Sequence, residues 1–224
     1  KVIFGTVIIV VGLFLARMLG AEAFGHYALG LTVFNIVALS LVLGLDTALI
    51  KWVSMVLAVN REDRARTMIV HGIAIAGLLG LVGGIVLCVL AVPIAGLLSG
   101  SPVLAAGLAL FAVAIPFVSV SAVALASLQG YQTLRPTVWL KYVWEPGGKF
   151  LLAGIALAAG WGLLGVLVAI VLTLAVGSML ALSALVRRAG LTWTGVRASW
   201  EGWTGTPTML FATFCLPLAV SNVI

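Results

Sequence analysis

The chain has 224 residues, of which 63% are hydrophobic and only 8% charged, with a formal net charge of +6 and a mean hydropathy of +1.30. No soluble domain can cover its surface with so few polar groups, so the composition excludes an ordinary globular enzyme and reads as an all-α, polytopic membrane helix bundle. The positive charge is spread over short segments without interleaved aromatics, which argues against a nucleic-acid surface and for contact with membrane lipids.

A hydrocarbon core about 30 Å thick needs roughly 20 apolar residues per helix. With charged or Gly/Pro/Ser clusters taken as breaks, spans are expected at about 2–18, 27–59, 67–98, 103–128, 137–159 and 163–185. These six helices make an N-terminal transmembrane lobe over 1–187. A loop follows over 188–205, and a seventh span starts near Thr206 and is cut at Ile224. The second span is long enough to bend near Gly44, and Arg61-Glu62-Asp63-Arg64-Ala65-Arg66 reads as the loop after it. The long uncharged stretch that follows divides at Leu98-Ser99-Gly100-Ser101-Pro102, and Gly160-Trp161-Gly162 makes a tight turn. Pro93 and Pro116 are expected to kink their helices.

The first segment resembles a signal peptide in having Lys1 before an apolar run and Ala21-Glu22-Ala23 behind it. Arg17 interrupts that pattern and apolar character resumes after His26, so an uncleaved first span is expected. Arg61, Arg64 and Arg66, then Arg135, then Arg187, Arg188 and Arg197 fall in the even-numbered loops. The positive-inside rule therefore predicts a multi-pass protein of the cell (inner) membrane with its N-terminus in the cytoplasm. Trp161, Trp193, Trp200 and Trp203 fit interfacial belts. Cys88 and Cys215 each sit in an apolar run and indicate neither a metal site nor a disulfide framework.

Lys141, Glu145 and Lys149 are spaced four apart in the fifth span, the last two flanking Pro146-Gly147-Gly148. A charge near the bilayer centre costs about 2.5–3.5 kcal/mol on insertion scales, so a chain keeps one where it faces protein, water or a ligand. At about 1.5 Å per residue from Thr137, Lys141 lies roughly 6 Å and Lys149 roughly 18 Å into the membrane. The row is a net positive stripe suited to an anionic head group, with Glu145 neutralising one lysine in part, and Pro146 with the glycines is expected to loosen the helix there. Arg17, near the end of the first span, is a further candidate for substrate binding. Asp46, Lys51 and His71 are candidates for ion coupling or for structural pairing.

Ala16-Arg17-Met18-Leu19-Gly20-Ala21-Glu22-Ala23-Phe24-Gly25-His26-Tyr27-Ala28-Leu29 resembles the R-x-L-G-x-x-x-F-G-x-Y-A signature between the first two helices of polysaccharide-export flippases. These belong to the multidrug/oligosaccharidyl-lipid/polysaccharide (MOP) flippase superfamily. Leu43 to Lys51 and Ser127-Leu128-Gln129-Gly130 add weaker matches. The resemblance implies two lobes related by a pseudo-twofold axis, of which this chain is the N-terminal one, around a cavity that opens alternately to each side. It also implies carriage of a polyprenyl-pyrophosphate-linked oligosaccharide for cell-surface polysaccharide biosynthesis, in functional association with a polysaccharide polymerase or glycosyltransferases. No cofactor is expected, and a coupling ion, H+ or Na+, stays open. The alternative is a cation-coupled multidrug exporter of the same superfamily, which calls for an exposed carboxylate in the first span; none is there. A membrane enzyme would need acidic pairs at a loop or a Gly-x-Ser-x-Gly nucleophile, and neither is found.

Overall fold

The computed structural model describes residues 12–14, 16–42 and 44–190. The first span as far as residue 11, Cys215, the loop tryptophans Trp193, Trp200 and Trp203, Arg197 and the seventh span lie outside the described residues. Among the described residues the fold is all helix. A short helical stretch over 16–19 ends at Gly20 and is followed by α1 (Ala21–Val42), α2 (Leu45–Ala58), α3 (Glu62–Leu98) and α4 (Pro102–Gly130). Next come α5 (Arg135–Trp139), a π-helical turn over Leu140–Trp144, α6 (Glu145–Ala158) and α7 (Gly162–Ala189). Four stretches, Ala21–Ala58, Glu62–Leu98, Pro102–Gly130 and Gly162–Ala189, are long and apolar enough to cross a membrane.

Local chemistry explains the breaks. Gly44 takes a left-handed conformation (φ 73°, ψ 9°) between α1 and α2, which a residue with a Cβ adopts only at a cost. The charged run after Asn60 is not a loop, as the sequence suggested, but the first turn of α3. Glu62 and Asp63 complement the positive end of the helix dipole there and pair with Arg66 at 3.3 and 3.8 Å. Arg187 and Arg188 fill the last turn of α7, where cations are favoured. Pro102 opens α4 at a position whose N–H needs no partner.

The stretches 21–58, 62–98, 102–130, 135–158 and 162–189 turn back on one another, so the chain turns alternately at two ends. One end gathers residues 59–61, 131–134 and the close of α7. The other gathers Gly20, Ser99–Ser101 and Gly160–Gly162. Helix α4 is the central element and packs against α1, α2, α3 and α7. Leu49, Val53, Ile69, Val123, Leu128 and Leu185 form the core nearer the first end, and Phe34, Leu87, Phe111, Ile115, Leu167 and Ile170 the core nearer the second.

In lipid no hydrophobic force drives helices together, so close backbone approach matters most. Helices α3 and α4 achieve it at Pro116. That residue has no N–H, which deprives the Ala112 carbonyl of its usual helical donor. Gly84 closes on this carbonyl so tightly that a Cβ would stand 2.7 Å from Ala112 O, and at Gly80 a Cβ would stand 2.7 Å from the Pro116 Cα. Gly80→Ala must therefore push backbone apart, and a loss of about 1–3 kcal/mol is expected. Gly147→Ala, where nothing lies within 4 Å, is the control that should leave the midpoint unchanged or slightly raised when thermal unfolding is followed in detergent.

Candidate functional site

Residues 135–158 are helical throughout, but the helix is widened by a π turn. Proline 146 can donate no hydrogen bond and its ring clashes with the carbonyl four residues back, and the π turn over Leu140–Trp144 lies directly ahead of it. The Pro-Gly-Gly sequence thus does not break the helix, and the loosening expected of it takes the form of this π turn. The strain is taken up one turn earlier, and α6 continues through both glycines.

Side-chain rows around this segment set the direction of the charges. Trp144 donates its indole N–H to the Thr173 carbonyl of α7 at 3.1 Å. Gly148 lies so near the same residue that a Cβ would meet Thr173 Cγ2 at 2.7 Å. One row therefore faces α7. Phe150 faces the first helix, its ring centroid 5.0 Å from that of Phe14. Val143, Leu151 and Ile155 are exposed on the outer row. Glu145 and Lys149 share their row with Ala153, which is 1% exposed. The two charges thus stand on the side turned toward the bundle, between α7 and the first helix.

Glu145 and Lys149 form an ion pair, Oε2 to Nζ 3.7 Å, with side chains 34% and 32% exposed. The pair is inward and still accessible. Lys141 lies in the π turn, exposed and without an ion pair among the described residues. The even spacing of four assumed 3.6 residues per turn throughout, and the π turn changes that period between Lys141 and Glu145. Of the three charges the structure brings together two. Arg17 is exposed on the turn after Phe14, and the Phe14–Phe150 contact places it near the height of α6 just beyond Lys149.

The remaining candidates are dispersed. The Asp46 carboxylate, in the first turn of α2, accepts the Thr47 N–H at 2.7 Å and its hydroxyl at 3.3 Å. Lys51 is exposed further along α2. His71 is 1% exposed within α3.

A second constellation, which sequence spacing had not singled out, joins three chain turns at the arginine-bearing end. Arg66 Nε donates to the Ala189 carbonyl at 2.8 Å, capping the C-terminus of α7. Arg188 Nε donates to Thr133 Oγ1 at 3.3 Å, and its guanidinium lies 5.3 Å from the centre of the Tyr131 ring. Only the alternation of arginines among the loops hinted at it.

The MatE family model matches residues 2–143. The chain belongs to the MatE family. The match holds Arg17, Asp46, Lys51, His71 and Lys141 and ends just before Glu145 and Lys149. A MOP superfamily transporter from Pyrococcus furiosus Vc1 (DSM3638), described as having a binding pocket whose reverse polarity suggests a different function, shares the fold of this MatE chain with a TM-score of 0.80 at 16% identity. The alignment covers 98% of this chain and 49% of that one, so the chain spans about half the length of that transporter. No curated protein matches. The fold is a transporter fold, carried by a multi-pass membrane protein.

Two expectations follow. Glu145→Gln leaves the Lys149 ammonium on the inward side of the segment without its counter-charge, and should lower the unfolding free energy by about 1–2 kcal/mol, a partly accessible pair being partly screened. The double variant Glu145→Gln/Lys149→Met should recover most of that loss, which a double-mutant cycle in detergent measures. At the other constellation, burial pushes the Tyr131 hydroxyl above its ordinary value of 10.0, Arg66 pulls it down, Glu62 raises it and Arg188 lowers it. A raised folded-state pKa means a contribution that is complete below the unfolded value and is lost as pH rises through the folded one. Absorbance at 295 nm should show that the tyrosinate missing from Tyr131→Phe titrates above pH 10.0, and the variant should lose less stability in alkali.

Proposed function

We propose that the chain is the N-terminal lobe of a flippase that moves a polyprenyl-pyrophosphate-linked oligosaccharide across the cytoplasmic membrane by alternating access. The observation that carries this reading is the inward, one-third-exposed pair Glu145–Lys149 in the apolar helical segment 135–158. A charge kept at that depth and still open to solvent calls for a ligand of opposite sign. The arginines gathered at one end, Arg61, Arg64, Arg135, Arg187 and Arg188, support the part of this reading that turns that end, and with it the N-terminus, to the cytoplasm.

In the proposed cycle the pyrophosphate enters from the cytoplasmic leaflet past Lys141 and displaces the Glu145 carboxylate from Lys149. Lys149 then holds the phosphate, with Arg17 adding charge from the first helix. Rocking of the lobes presents the head group outward while the polyprenyl tail stays in lipid. Glu145 gives Lys149 a counter-charge when no substrate is bound, so the empty site avoids an isolated charge in the membrane. Asp46, Lys51 and His71 are assigned to structural pairing or to coupling with H+ or Na+. The functional partners in this reading are a polysaccharide polymerase or glycosyltransferases.

The test uses the full-length protein in cells lacking their own flippase. Lys149→Gln should reduce surface polysaccharide at least tenfold at unchanged protein level, while Lys149→Arg, which keeps the charge, should retain a large part of it. Normal display with Lys149→Gln would refute the assignment, and so would a wild type that exports cationic drugs without restoring polysaccharide, the outcome for a cation-coupled exporter.

A further inference from the structure

We propose that the arginine-bearing end of the bundle holds an anionic phospholipid, its phosphate on Arg135 and Arg187 and the first part of an acyl chain along Trp139 and Val143. The site is distinct from the inward pair at Glu145 and Lys149 and does not depend on what the protein carries.

Two observations converge on it. The first is a series of exposed residues along the 135–158 segment. Arg135, Trp139, Val143, Gly147, Leu151 and Ile155 follow one another along it and are all exposed, Trp139 at 49%, Val143 at 55% and Leu151 at 60%. The series begins with a guanidinium, passes an indole and becomes purely apolar, which matches in order the phosphate, the glycerol level and the acyl chain of a phospholipid. Trp139 is held in place by stacking on Trp144 (centroids 6.2 Å apart), which is itself bonded to α7. The indole is thus a fixed wall.

The second observation is charge. The hydrogen bond from Arg188 to Thr133 draws the end of α7 against the loop from which Arg135 starts. Arg188 and Arg66 are engaged, on Thr133 and Tyr131 and on Ala189, Glu62 and Asp63 respectively. Arg135 and Arg187 are exposed, and no carboxylate pairs with either among the described residues. The nearby acids, Glu62 and Asp63, are both taken by Arg66. The free cationic capacity of this corner therefore points at the head-group layer. The turns at Ser99–Ser101 and Gly160–Gly162 carry no lysine or arginine, so the asymmetry selects one leaflet. An anionic bilayer surface attracts such residues within a Debye length.

The test is native mass spectrometry of the full-length protein released from nanodiscs made of equal parts phosphatidylglycerol and phosphatidylcholine. The wild type should retain phosphatidylglycerol in preference to phosphatidylcholine. Arg135→Gln/Arg187→Gln should weaken that preference roughly 30-fold, the factor that corresponds to about 1 kcal/mol per basic residue at an anionic surface. Arg135→Lys/Arg187→Lys should keep it, since the charge rather than the fork carries the effect. Excess inorganic phosphate should fail to strip the lipid. Equal retention of the two lipids by the wild type, an unchanged preference in the glutamine variant, release by inorganic phosphate, or preferential retention of added polyprenyl phosphate would each overturn the proposal.

Discussion

Trp144, Gly148 and Thr173 make the contact on which the orientation of the charged segment rests. The indole N–H reaches the Thr173 carbonyl and the missing side chain of Gly148 lets α6 sit against the same residue. With that row turned to α7, geometry leaves little freedom for the others. The row of Glu145, Lys149 and Ala153 faces the bundle, Phe150 meets the first helix, and Val143, Leu151 and Ile155 are turned outward. A helix rotated by a third of a turn would expose Lys149 to acyl chains, at a cost of a few kcal/mol. Packing at a single threonine thus determines whether an intramembrane ammonium belongs to a site or is an error the bilayer would penalise.

Close contact recurs wherever the bundle has to be firm. Proline 116 frees a carbonyl and Gly84 closes on it; Pro146 costs a backbone bond and the π turn takes up the distortion before α6 begins. Each irregularity is braced by a neighbouring helix, Pro116 by Gly80 and Gly84 of α3 and the π turn by the bond from Trp144 to α7. At the arginine-bearing end the same demand is met by side chains. Arg66 satisfies the final carbonyl of α7, while Arg188 ties that helix to the turn after α4. Three parts of the sequence are joined there by side-chain hydrogen bonds at the rim of the core.

Much of the helix plan was legible because its breaks are chemically unambiguous. Ser99-Gly100-Ser101-Pro102 and Gly160-Trp161-Gly162 are where the chain turns, and Gly44, with no Cβ to hinder a left-handed backbone, separates α1 from α2. The run from Arg61 to Arg66 misled, because charge density resembles a loop whereas acids followed three and four residues on by arginine also make a stable first turn. The ionic row in the fifth segment was legible as residues but not as geometry. Lys149 and Glu145 meet, while Lys141 stands apart because a π turn intervenes.

By itself the sequence determined that this is a membrane-embedded helix bundle, where its apolar stretches end, and that a lysine and a glutamate interrupt one of its apolar segments. These follow from composition and local preference, which act residue by residue. Only the tertiary structure decided which way the charges face, that Pro146 widens the helix instead of breaking it, and that Arg66 and Arg188 fasten the close of α7. Those outcomes depend on Thr173, Ala189, Tyr131 and Thr133, partners distant in the chain whose approach no spacing rule encodes.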